Sequence, residues 1–112
     1  ALWAAGIPVQ QIAAGLRSFQ SDEELCPGRF NFMQIHDATV IVDYGHNPSA
    51  LEAMVQAIDS IGGNTRRVVY STAGDRRDCD IQRQGQLLGR NFDQVYLYEG
   101  HYTRGRAKGE TL

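Results

Sequence analysis

Three short segments gather the charged, aromatic and glycine residues that can hold an anionic or zwitterionic ligand. They are Asp43-Tyr44-Gly45-His46-Asn47-Pro48, Thr72-Ala73-Gly74-Asp75-Arg76-Arg77-Asp78 and Glu99-Gly100-His101-Tyr102-Thr103-Arg104-Gly105-Arg106. Each follows a short apolar run: Val40-Ile41-Val42, Val68-Val69-Tyr70 and Val95-Tyr96-Leu97-Tyr98. If those runs are parallel strands, the three segments are equivalent loops on one sheet edge. Helix N-termini there present free amides and the positive end of the dipole to a ligand. The residue types fit that position. Among 11 lysines and arginines only Lys108 is lysine, and the planar guanidinium fork suits carboxylate and phosphate oxygens better than a point-like ammonium does.

Plainer readings stand beside each residue. Asn47 followed by Pro48 is a strong start signal for a helix, so Asn47 is expected to cap it whether or not it also touches a ligand. His46 lies on a loop, where a lone histidine is usually solvated or structural. Arg76-Arg77 and Arg104-x-Arg106 are each compatible with solvated surface charge. Their shared rim raises them above that reading.

Several chemistries are excluded. His36, His46 and His101 share no ligand spacing with one another, and Cys26 and Cys79 form no CxxC pattern, so neither a metal site nor a disulfide scaffold is expected. No serine or cysteine has a base and an orienting partner, and no catalytic residue is assigned. Neither G-x-x-x-x-G-K-[ST] nor G-x-G-x-x-G occurs. The net charge of −2 gives no general attraction to nucleic acid or anionic lipid, and acids accompany the arginine pairs. There is no apolar run long enough to span a membrane and no export signal, so a cytoplasmic protein without nucleic-acid or membrane partners is expected.

The positioning elements follow from periodicity. Ile7, Val9, Ile12, Leu16 and Phe19 recur at near-helical spacing, with Gly6-Ile7-Pro8 separating them from the end of a preceding helix. Ser21 to Glu24 is a polar link and Pro27-Gly28 a turn, which places a domain boundary near residue 27. Phe30, Phe32 and Ile35 read as a strand. The link from it to Val40-Ile41-Val42, at Asp37-Ala38, is too short for a parallel crossover, so the two form an antiparallel hairpin. Leu51, Met54, Val55, Ile58 and Ile61 mark a helical face closed by Gly62-Gly63. Ile81, Leu88 and Phe92 mark another helix, opened by Asp78 and Asp80. Strand, helix, strand, helix, strand then gives an α/β fold: a Rossmann-like open, mostly parallel sheet, with an antiparallel strand at its start and a short helical segment before it. The last residues, Gly105 to Leu112, resemble the approach to a further helix, and truncation at both ends is expected.

Pro27-Gly28-Arg29 and Val42-Asp43-Tyr44-Gly45-His46-Asn47-Pro48, separated by a hairpin, resemble motifs of the Mur ligase superfamily. In that family a Gly-Arg precedes the carboxy-terminal domain, and an Asp-x-x-His-Asn-Pro or close variant follows its first parallel strand. Gly74-Asp75-Arg76-Arg77-Asp78-x-Asp80-Ile81 and Arg104-Gly105-Arg106, with Gly109-Glu110 behind, are similar to the cyanophycin synthetase branch. Cys79 stands where an acidic residue is expected in that pattern. The Asp-Asn-Pro-Arg signature usual in peptidoglycan ligases is absent.

The resemblance implies residues 27–112 as a carboxy-terminal ligase domain and residues 1–26 as the helical end of a preceding ATPase domain with its linker. It implies a parent enzyme using ATP and Mg2+ to activate a carboxylate as an acyl phosphate, which an amino acid's amine attacks. In that branch arginine joins an acidic acceptor, the aspartate side chain. Arg29 would then reach the ATP phosphates, and Asp43, Tyr44, His46 and Asn47 would line the nucleotide. Asp75, Arg76, Arg77, Arg104 and Arg106 would face the amino acid. The central ATPase domain would be a partner in cis, and the fragment alone would be inactive with no tightly bound cofactor. The alternative is a non-enzymatic Rossmann-like nucleotide-binding or regulatory module.

Overall fold

The computed structural model describes residues 1–19, 21–22 and 24–112. They divide into two compact units, Ala1–Tyr44 and Gly45–Leu112.

In the first unit, a turn at residues 2–6 ends at Gly6, whose φ of 79° lies in the left-handed region. Helix α1 (Val9–Ser18) follows Pro8 and buries none of its residues. Strands β1 (Asn31–Ile35) and β2 (Ala38–Val42) pair antiparallel, from Asn31 opposite Val42 to Ile35 opposite Ala38. The two-residue connection is therefore His36-Asp37, one position earlier than the sequence suggested. His36 has a φ of 52°, the left-handed conformation at the first loop position that matches the twist of a tight hairpin. Gln34 and Thr39 join side chains at 3.1 Å, reinforcing the hairpin end.

The second unit contains α2 (Pro48–Ile61), β3 (Arg67–Tyr70), α3 (Asp78–Asn91) and β4 (Gln94–Leu97). As the sequence indicates, Asn47 caps α2: its Oδ1 accepts from the Ala50 N–H at 2.9 Å, with Pro48 in the first turn and Gly62 at the end. Asp78 and Asp80 lie in the first turn of α3, where carboxylates complement the helix dipole. β3 and β4 run parallel, from Arg67 beside Gln94 to Tyr70 beside Leu97. Leu51, Leu87 and Leu88 form the buried core, with Val68, Tyr70, Phe92 and Val95 packed against it. Both helices thus cover the same sheet face. Val69 on the other face is 70% exposed.

The α/β class, the leading helix and the antiparallel start are as expected, but the pairing of strands differs. The sheet hydrogen bonds form two separate pairs, β1 with β2 and β3 with β4. Apolar periodicity reports which faces a strand buries and leaves its edge partner open, so the sequence does not separate the two strand pairs.

Candidate functional site

In the first unit, one buried side chain organises the turn that presents Arg29. Asn31 is 3% exposed. Its Oδ1 accepts from the Gly28 N–H at 2.6 Å and the Arg29 N–H at 3.3 Å, and its Nδ2 donates to the Cys26 carbonyl at 3.0 Å. Ser21 adds a hydroxyl bond to the Arg29 carbonyl. The Phe30 N–H donates to Asp43 Oδ2 at 2.9 Å, and the Tyr44 N–H to the Gly28 carbonyl at 2.8 Å. These bonds bring the end of β2 against the turn before β1. The Arg29 guanidinium carbon consequently lies over the Tyr44 ring, 5.6 Å from its centre. A guanidinium over an aromatic face can still bond acceptors lying in its own plane. Arg29, Asp43 and Tyr44 therefore form one cluster.

His46 and Asn47 belong to the second unit. α2 reaches β3 through a short connection, and α3 lies between two parallel strands, so both helices run opposite to the strands. Arg83 Nη2 meets Glu52 Oε1 at 2.9 Å, and each residue lies in the second turn of its helix. The N-termini of α2 and α3 thus share the edge at which β3 and β4 end. Asn47, with His46 directly before it, lies on that rim together with the loops carrying Asp75 to Asp78 and Arg104 to Arg106.

Those two loops are joined side by side. Arg104 Nη1 reaches Asp75 Oδ2 at 2.7 Å, and Arg76 Nε lies 3.8 Å from Asp75 Oδ1. Arg76 Nε is buried with no hydrogen-bond partner among the described residues. The hydrogen bond from Arg104, reinforced by the charges of Arg104 and Arg76, holds the Asp75 carboxyl below its usual range. Arg106 is more enclosed: Nε donates to the Gly74 carbonyl at 2.7 Å, and Nη2 donates to the Arg76 carbonyl at 2.7 Å and Asp78 Oδ1 at 2.6 Å. Arg77 pairs with Asp80 within α3's own first turn, at 2.8 Å and 3.0 Å, which lowers the Asp80 carboxyl's pKa and raises that of Arg77. Glu99 accepts from the Gly109 N–H and the Thr111 hydroxyl, folding the last residues back as turns.

Three supporting residues had no sequence signal of comparable strength. Asn31 lies in a strand that reads as apolar, Gln84 on a helix face read through its leucines, and Gly74 in a loop rich in charge. Gln84 is 1% exposed; its Oε1 accepts from the Tyr70 hydroxyl at 2.7 Å and the Thr72 hydroxyl at 2.8 Å, closing the end of β3 against α3. Gly74 is buried, and a Cβ there would collide with the Thr103 carbonyl oxygen. Among the described residues, no three His, Cys, Asp or Glu side chains gather to hold a metal, and no helix is long and apolar enough to cross a membrane.

An antiparallel hairpin in one unit and a parallel strand pair with two helices in the other make this a small α/β protein. The family profile of the Mur ligase glutamate ligase domain matches residues 28–111, and the chain belongs to that family. Its relatives include the cyanophycin synthetase of Crocosphaera subtropica, 36% identical over 98% of this chain, and that of Trichormus variabilis, 35% identical over 97%. A UDP-N-acetylmuramoyl-L-alanyl-D-glutamate--2,6-diaminopimelate ligase from Alkaliphilus metalliredigens is 33% identical over 77% of the chain and 17% of its own length. The chain spans 12% of the length of each of the two cyanophycin synthetases.

Proposed function

We propose that this chain is the amino-acid-binding, domain-closing portion of a cytoplasmic ATP-dependent amide-forming ligase, with residues 27–112 as the ligase domain and 1–26 as the end of an ATPase domain. The substrate proposed is arginine, joined through its α-amine to an aspartate side-chain carboxylate, as the resemblance of its motifs to the cyanophycin synthetase branch implies. The observation that carries the reading is the exposed Asp75–Arg104 pair on the rim. An amino acid brings both a carboxylate and a cation, and this pair offers a complement to each. Arg104 is matched to the carboxylate and Asp75 to the ammonium or guanidinium, with Arg76 beside them. Arg77 and Arg106 belong to the same loops.

The nucleotide side is assigned to Arg29, Asp43, Tyr44, His46 and Asn47. Arg29 fits a phosphate, because its guanidinium lies over the Tyr44 ring, an arrangement compatible with in-plane hydrogen bonds, and a fork can hold two phosphoryl oxygens. ATP supplies the phosphoryl group that activates the acceptor carboxylate. The magnesium ligands are assigned to the ATPase domain; among the described residues of this chain no three His, Cys, Asp or Glu side chains gather. The test is phosphate release by the full-length ligase in the presence of ATP, Mg2+, an aspartate-bearing acceptor and each of the common amino acids in turn. Arginine-dependent release supports the reading. Release driven by an acidic or apolar amino acid and not by arginine contradicts the substrate, and none with any amino acid contradicts the ligase.

A further inference from the structure

We propose that Arg106, acting with Gly74, is a positioning residue: a clamp that fixes the Asp75–Arg104 pair from beneath while making no contact with the ligand. The proposal rests on the reading of that pair as the amino-acid site only for what the clamp serves; the clamp itself stands on geometry. Arg106 donates to the carbonyls of Gly74 and Arg76, the residues on either side of Asp75. The same guanidinium holds Asp78 in the first turn of α3. Asp75 is thus fixed through its backbone neighbours on both sides, and the start of α3 is tied to them.

Arg104 is held in a complementary way. Thr103, directly before it, packs its carbonyl on Gly74 in a space that admits no Cβ, and Arg106 lies two residues after it. Between these anchors Arg104 takes a φ of 52°, followed by Gly105 at 93°. A non-glycine residue persists in that left-handed conformation when its surroundings fix it. The exposures divide the arginines in the same sense: the Arg106 side chain is 21% exposed and that of Arg104 49%. A guanidinium can bond three acceptors from its planar edge, and a lysine ammonium on a flexible stem cannot span the same set.

Hydrogen–deuterium exchange on the 112-residue chain tests the clamp. Arg106→Lys is expected to speed exchange about tenfold at residues 73–78 and 103–106, as local opening of the two loops would, while β3, β4 and the second half of α3 keep their rates. Gly74→Ala should loosen the same segments by a steric route, so a single variant that fails to fold leaves the other to decide. Arg104→Gln, which removes the exposed pair alone, should leave those rates within about twofold. Adding free guanidinium at millimolar concentration to Arg106→Ala should restore part of the protection. Unchanged loop exchange in Arg106→Lys and Gly74→Ala, or an equal effect from Arg104→Gln, overturns the clamp. If the clamp variants loosen the loops but leave the full-length ligase's requirement for the amino acid unchanged, the reading of these loops as the amino-acid site fails and the clamp stands.

Discussion

Arg104 and Asp75, 29 residues apart in sequence, meet at 2.7 Å with side chains 49% and 45% exposed. An ion pair this open to water contributes little to folding. Its value lies in accessibility: both charges are fixed in place at the end of a parallel strand pair, where a ligand can reach them.

The same division between positioning and ligand contact is proposed for Asn31 and Arg29 in the first unit. Arg29→Ala removes an exposed guanidinium lying over Tyr44 and is expected to leave the fold intact while lowering turnover of the full-length ligase by about a thousandfold or more, as loss of an arginine on the transferred phosphoryl group does. Asn31→Ala leaves the Gly28 and Arg29 amides without their acceptor and is expected to cost about 1–3 kcal/mol of stability. Urea unfolding of the chain and steady-state kinetics of the ligase distinguish the two. Equal stability losses would contradict the division.

Gln84 should behave as a structural latch. Gln84→Leu deprives the Tyr70 and Thr72 hydroxyls of a shared acceptor and is expected to destabilise by about 1–3 kcal/mol, seen as a lower urea midpoint at unchanged slope. A loss below a few tenths of a kcal/mol would show that the amide does not hold the end of β3.

Much of this arrangement was legible in the sequence. Asn47, Pro48 and Gly62 announce α2 because capping chemistry is local, and the hairpin follows from a link too short for a crossover. The meeting of the Asp75 and Arg104 loops followed from the parallel order of β3 and β4. What escaped was non-local. Nothing at Asn31, Gln84 or Gly74 in isolation signals burial, since their partners lie in other elements, and the grip of Arg106 on two backbone carbonyls leaves no side-chain pattern to read. Apolar runs do not encode edge partners, so the division into two strand pairs was not legible.

Acid sensitivity follows from the carboxylates. Asp75 is held below its ordinary value of 3.8 chiefly by the hydrogen bond from Arg104, and Asp80 by that from Arg77. A carboxyl with a depressed folded pKa stabilises the fold above the unfolded value, and that contribution disappears as pH falls through the folded one. Below about pH 4 the wild-type chain should therefore lose stability faster than Asp75→Asn, measured by urea midpoints from pH 5 to pH 2. Parallel curves would mean that the Asp75 pair has no energetic linkage to folding.

The most direct measurement of the central claim is the kinetics of charge reversal on the rim. In the full-length ligase, Asp75→Lys and Arg104→Glu are each expected to raise the KM for the amino acid at least about tenfold, corresponding to roughly 1.4 kcal/mol, with the KM for ATP within about twofold of wild type. Asn47→Ala, on the nucleotide side, should raise the KM for ATP more than that for the amino acid. Equal shifts in both constants for all three variants, or an amino-acid KM untouched by reversal at Asp75 and Arg104, would contradict the assignment of this rim to the amino acid.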